Sequence, residues 1–292
     1  PRPRHGGPKD QVRQADASEA MLGRPGTRAV LVVLGAIGAT SCGATLQTLP
    51  SGTGTPAADA RQAFEAAVER CRQITTFSAE MSVSGSASGQ RLRGRVLVGL
   101  AAPASALLDA AAPFGASLFI YAARDGAVTL LLPREQRVVR GDDPAAVLEA
   151  VTGVPLGAAE LRRTLTGCAP EGEASGGTGF GADWRRLAVG GSDVWLRRQP
   201  DDSWRVVAVV HREHTAGGWR ADYADFQGDV PGAVRLTSGD EGRRFELRLR
   251  LSQVDINPPL GPDVFTVAVP ASLAPMSLEE LRQQGPLAEG AR

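Results

Sequence analysis

Lysine is nearly absent: Lys9 stands alone, and every other cation among the 32 basic residues is arginine, a bias that reads as GC-rich coding rather than mechanism. The 32 acidic residues balance them, so there is no basic surplus of the kind a nucleic-acid-binding surface needs. Cysteine is scarce, with three residues and no CxxC or Cys/His spacing, which excludes a zinc site of the usual pattern. Of the three histidines, His211 and His214 lie three apart on a predicted strand, where their side chains face opposite ways and do not chelate one metal. No motif asks for a cofactor. "GSASG" has no serine at the centre of a nucleophile elbow. "GGTGFG" has phosphate-loop glycine spacing without the strand-to-helix context, and reads as a flexible loop. With no base placed near any Ser or Cys, the sequence points away from an enzyme. Long apolar runs are also missing: the longest, Ala29–Ala39, falls well short of the roughly 20 residues of a spanning helix.

That run is nonetheless informative. Arg24 and Arg28 precede it, and the whole stretch "AVLVVLGAIGATSCGA" ends in small residues around a cysteine. This is the layout of a secretory signal peptide. Ala39-Thr40-Ser41-Cys42 resembles a bacterial lipobox, in which the cysteine receives a diacylglycerol thioether before cleavage. Met21 stands where such a signal would begin. Residues 1–20 then read as an upstream extension, 21–41 as the signal peptide, and 42–57, rich in Gly, Ser, Thr and Pro, as a lipidated flexible tether. Setting aside residues 1–41 leaves a net charge of about −3. Lipidation of Cys42 leaves Cys71 and Cys168 either bonded in an oxidising compartment or as two small buried hydrophobes, and their spacing does not decide which.

The domain, expected over residues 58–285, opens with a helix in "ADARQAFEAAVERCRQI", where Phe64, Ala67, Val68 and Cys71 recur at helical spacing and Asp59 or a neighbour supplies the cap. The period then falls to two. "TFSAEMSVSGSASG" and "QRLRGRVLVGL" predict a hairpin turning at Gly89-Gln90, and "ASALLDA", "ASLFIYAA", "AVTLLLP" and "EQRVVRG" predict further strands. Residues 142–167 interrupt them with two short helices, the first capped by Asp142 or Asp143, started at Pro144 and ended at Gly153. Strands resume with "DWRRLAVG" and run to "RRFELRLRLSQVDI", in which Phe245, Leu247, Leu249 and Leu251 alternate with charge. Some ten or eleven antiparallel strands and a helical pair make a curved sheet with a cover.

This order of elements resembles the lipoprotein-localisation family of LolA and LolB. The helical segment carries the closest likeness, through Asp143, Leu148, Thr152-Gly153, Pro155-Leu156, Leu161, Leu165 and Gly167. "AAAPFGASLFI" resembles the LolB segment before the insertion, and "LSQVDINPPLGPDVFTVAVP" the closing strands of the wider superfamily. The resemblance covers roughly residues 58–270. It implies an α+β, mainly β fold: an unclosed antiparallel half-barrel with an N-terminal helix and a helical lid over an apolar cavity. Wall residues would be Val96, Val98, Leu100, Leu118, Ile120, Leu247, Leu249 and Leu251, with Leu148, Val151, Leu161 and Leu165 on the lid; each would serve plain core packing equally well. Pro113, Phe114 and Gly115 match the protruding loop whose apolar residue in LolB inserts cargo into the membrane. Because LolB is itself an outer-membrane lipoprotein, Cys42 favours that side of the family, and Gly43 is compatible with outer-membrane sorting. The function implied is receipt of acylated lipoproteins from a periplasmic LolA-like carrier by a monomer that is lipid-anchored in the outer membrane and faces the periplasm. Two other readings share the fold: a lipid or glycolipid carrier, and a structural envelope lipoprotein with its core filled by side chains.

Overall fold

A computed structural model describes residues 48–112, 115, 117–212, 218–238 and 244–285. The expected extension and signal peptide (1–41), Cys42, Pro113, Phe114 and His214 lie outside the described residues. Gly43–Arg292 is a compact unit, and it holds every core residue from Ala60 to Leu281.

Its first half comprises β1 (Thr55–Pro56), α1 (Ala60–Val68), β2 (Thr76–Ala87), β3 (Gln90–Ala101), β4 (Ser105–Ala111), β5 (Ser117–Arg124), β6 (Ala127–Leu132) and β7 (Arg137–Gly141). Two helices follow, α2 (Pro144–Thr152) and α3 (Ala158–Thr166). The second half comprises β8 (Ala174–Phe180), β9 (Trp184–Val189), β10 (Ser192–Arg198), β11 (Trp204–His211), β12 (Trp219–Ala224), β13 (Ala233–Ser238) and β14 (Phe245–Ile256), then β15 (Ala274–Met276) and α4 (Leu278–Gln284). All the strands form one 15-stranded sheet in the order β1-β8-β9-β10-β11-β12-β13-β14-β2-β3-β4-β5-β6-β7-β15. Every pairing is antiparallel except β7 with β15. The sheet does not close, and its edges are the two-residue β1 and the three-residue β15, each containing a proline.

The expected ten or eleven strands become fifteen chiefly through β1, β8 and β15. "ASGGTGF" is a strand and not a flexible loop, because its glycines admit α1: a Cβ on Gly177 would stand 2.7 Å from both the Ala57 carbonyl oxygen and the Ala60 Cβ. The helix therefore lies directly on β8, β9 and β11, with Ala60, Ala63, Phe64 and Ala67 buried. Asp59 does not cap it with its side chain; the carboxylate accepts two hydrogen bonds from Arg185 on β9, at 2.8 and 2.7 Å. The β2–β3 hairpin turns one residue earlier than expected, at Ser88-Gly89, both with positive φ. Such a pair gives the two-residue turn whose twist suits a hairpin.

Residues 48–57 are not part of a free tether. Leu49 packs against the cluster of Trp195, Val207 and Ala208 on the outer face, and β1 pairs with β8. At the other end, the chain leaves β14 and crosses the outer face of β4 and β5, where Phe265 is buried. It then pairs as β15 along β7, and α4 packs against α2 on the inner side.

Cys71, in the turn after α1, is disulfide-bonded to Cys168, just beyond α3, with Cα atoms 5.8 Å apart. The bond closes a loop of 97 residues and ties the two inner-face helices together. Replacing both cysteines with alanine should lower unfolding free energy by about 2–4 kcal/mol in denaturant titration. Thiol labelling of unreduced, unfolded protein should leave both unlabelled.

A second tie is polar. His211 on β11 stacks on Trp219 with ring centroids 3.8 Å apart, and its Nδ1 lies 3.1 Å from Ser192 Oγ and 3.5 Å from Glu160 Oε1 on α3. Burial, then the nearby positive Arg163, lowers the imidazole pKa to about 4. The folded state thus binds the proton more weakly than the unfolded chain, so this contribution is complete above pH 6.5 and is lost as pH falls towards 4. Stability should drop by about 1.5 kcal/mol between pH 6.5 and 5, above the range where carboxylates titrate. The pH dependence of the unfolding midpoint checks this: the drop should be absent from His211→Asn.

Candidate functional site

The inner face is covered by α1 over β8–β11 and by α2 and α3 over the strands on the other side of β14. Local sequence sets the second cover. The Asp143 side chain accepts the Ala146 N–H at 3.0 Å, Pro144 occupies the first turn, and Gly153 ends α2 with φ 74°. Residues 154–157 reverse the chain, and α3 stops at Gly167 with φ 67°. Tyr121 of β5 donates to the Pro144 carbonyl at 2.9 Å, and Arg162 of α3 donates to the Ile74 carbonyl at 2.8 Å, so each helix is fastened to the barrel.

Between this pair of helices and the sheet lies a cavity of about 120 Å³. Its walls come from β2, β3, β4, β5, β13, β14, α2 and α3 and the turn between the helices, and are almost wholly aliphatic, with Arg93, Arg95 and Thr152 the polar members. Among the expected wall and lid residues, the structure brings together Val96, Leu118, Leu247, Leu249, Leu148, Val151 and Leu161 around it. Val98, Leu100, Leu251 and Leu165 do not line it; all four are buried in the solid part of the core. Ile120 does not line it either. Leu118 is an extra residue in β5, since Ala110 pairs with Phe119 and Ala111 with Ser117. This bulge shifts the alternation, so Leu118, Phe119 and Tyr121 face inward and Ile120 outward. The cavity also uses Met81, Val83, Leu92, Leu108, Val154 and Leu156, none of which was among the expected wall and lid residues. The alternation of β2, β3 and β4 was the signal for the strand residues, and the family motif named Leu156; Val154 had no signal.

Gly115, the described member of the expected insertion loop, is exposed with φ 84°, and its N–H donates to the Ala112 carbonyl at 2.9 Å. Cys71 and Cys168 stand outside the cavity, in the tie described above. His211 is equally remote from it: Ser192 and Glu160 both approach the same ring nitrogen, whereas a nucleophile–base–acid relay places its two partners on opposite nitrogens. Among the described residues, no three of His, Cys, Asp and Glu gather in a metal-binding group.

Neither a family model nor a curated protein sequence matches the chain. Solved structures do. A LolA superfamily protein from Nitrosomonas europaea superposes with a TM-score of 0.50 at 10% identity, covering 71% of this chain and 97% of its own. A DUF1329 family protein from Desulfovibrio piger gives a TM-score of 0.48 at 12% identity over the same shares. The unclosed sheet with its helical cover is therefore the fold of that LolA superfamily protein.

Proposed function

We propose that this chain is a lipid-anchored envelope protein that accepts acylated lipoproteins from a soluble LolA-like carrier, shelters their acyl chains under α2 and α3, and passes them to the outer membrane. The observation that carries this reading is the aliphatic cavity between the lid helices and the sheet. Each CH₂ moved from water into such a wall gains about 0.8 kcal/mol, so hand-over between apolar hosts needs no catalytic group. The signal-like run ending at Cys42 supports an anchor, and the Cys71–Cys168 bond supports an oxidising compartment. The fold shared with a LolA superfamily protein supports the cargo class.

At about 120 Å³ the cavity is smaller than the roughly 150 Å³ cavities that take up a benzene ring. Loading an acyl chain therefore requires α2 and α3 to move off the sheet. The fastenings differ in kind: α3 is followed directly by the disulfide, whereas α2 has no covalent tie. Opening starts at α2.

Native mass spectrometry of Gly43–Arg292 mixed with triacylated peptide should show a one-to-one complex, and the same experiment with glycolipid should show none. Filling the wall at half-buried positions, with Leu92→Trp or Leu118→Trp, should weaken peptide binding at least tenfold and leave the melting midpoint within a few degrees. Binding of glycolipid alone would reassign the cargo; binding of neither would remove the carrier reading. For delivery, Phe114→Glu should leave binding intact and sharply reduce transfer of bound cargo to liposomes, measured by co-flotation.

A further inference from the structure

We propose that the outer face of the sheet from β9 to β14 is a docking surface for an anionic lipid bilayer. Pairing registers align one row of side chains across it, from Arg186 through Trp195, Ala208 and Asp222, which are buried, to Arg235, mostly buried, and the exposed Arg248. Arg197 stands opposite Trp184 in the next row, and Arg250 lies two residues beyond Arg248. The cations outweigh their partners. Arg235 and Arg248 share the single carboxylate of Glu246, at 2.7 and 3.1 Å. Among the described residues, Arg250 pairs with Asp225 alone, at 3.8 Å, and Asp222 is engaged by Arg220. Arg186 and Arg197 have no carboxylate partner among the described residues; they lie over the rings of Phe180, Trp195 and Trp184.

Two features select a bilayer as the occupant. Tryptophans with a part-exposed body beside arginine are the residues that settle at a membrane interface, and Trp184 and Phe180 are half-buried in this patch. The chain towards Cys42 also leaves from this face, because Leu49 is seated on the same aromatic cluster. The six residues Gly43–Thr48 join it to Cys42, a reach of at most about 25 Å. A lipid at Cys42 would keep Leu49 and the cluster it packs on within that reach of the membrane. That leash rests on the anchor proposed above; the charge pattern does not.

Sedimentation of Gly43–Arg292, which lacks Cys42, with vesicles separates the two. The domain should bind equimolar phosphatidylglycerol–phosphatidylcholine vesicles and not pure phosphatidylcholine. Binding should fall as salt rises from about 0.1 to about 1 M, where the screening length shrinks to about 3 Å. At about fivefold per arginine, Arg197→Gln, Arg248→Gln and Arg250→Gln combined should weaken binding about a hundredfold. The corresponding triple lysine variant, which keeps the charge, should bind within a few fold of the parent and serves as the folding control. Equal binding to both vesicle types, undiminished binding by the glutamine variant, or loss of binding in Phe114→Glu would each overturn the proposal. The intact mass of the full chain taken from membranes reads the anchor separately: an unmodified Cys42 would remove the leash and leave the vesicle result standing.

Discussion

An open sheet of fifteen strands curls around whatever fills its hollow, and in this chain the filling is unequal. Over β8–β11 the glycines of β8 let α1 sit on the backbone itself, so Phe64 and Ala67 are buried against the strands. Across β14 the strands carry full-sized aliphatic side chains, α2 and α3 ride above them, and space is left. The two halves are not independent. Cys71 follows α1 and Cys168 follows α3, so the close seat of the first helix fixes where the second can lie. The small residues at Ala57, Ala60 and Gly177 thus act on the lid from the far side of the barrel.

Much of this was legible in the sequence, and what was not has definite causes. Strands with a wet and a dry face announced themselves by alternation, and the lid by Asp143, Pro144 and Gly153, whose local chemistry starts and stops α2. Alternation identifies a face but not a height along the strand. Val96 and Val98 share the inner face of β3, yet only Val96 reaches the cavity, because depth is set by what packs from across the barrel. A bulge defeats the count altogether, as at Leu118, where one extra residue sends Ile120 outward. β8 was hidden because its glycines answer to Ala57 and Ala60, more than a hundred positions earlier. Asp59 looked like a cap and is instead the partner of Arg185, a long-range pairing that no local window contains.

The superfamily likeness was carried by short motifs, and the structural match is likewise one of architecture at 10% identity. Both facts have one physical source. A lid, a bulged wall and an aliphatic lining constrain residue size and polarity far more than identity, so many sequences satisfy the same shape.

The ends of the sheet have a consequence of their own. Each edge strand is only two or three residues long and carries a proline, Pro56 on one side and Pro275 on the other, so neither offers the row of free N–H and C=O groups that an extended peptide would need. Among the described residues, the ends of the sheet therefore present no long edge strand to which an extended polypeptide could add.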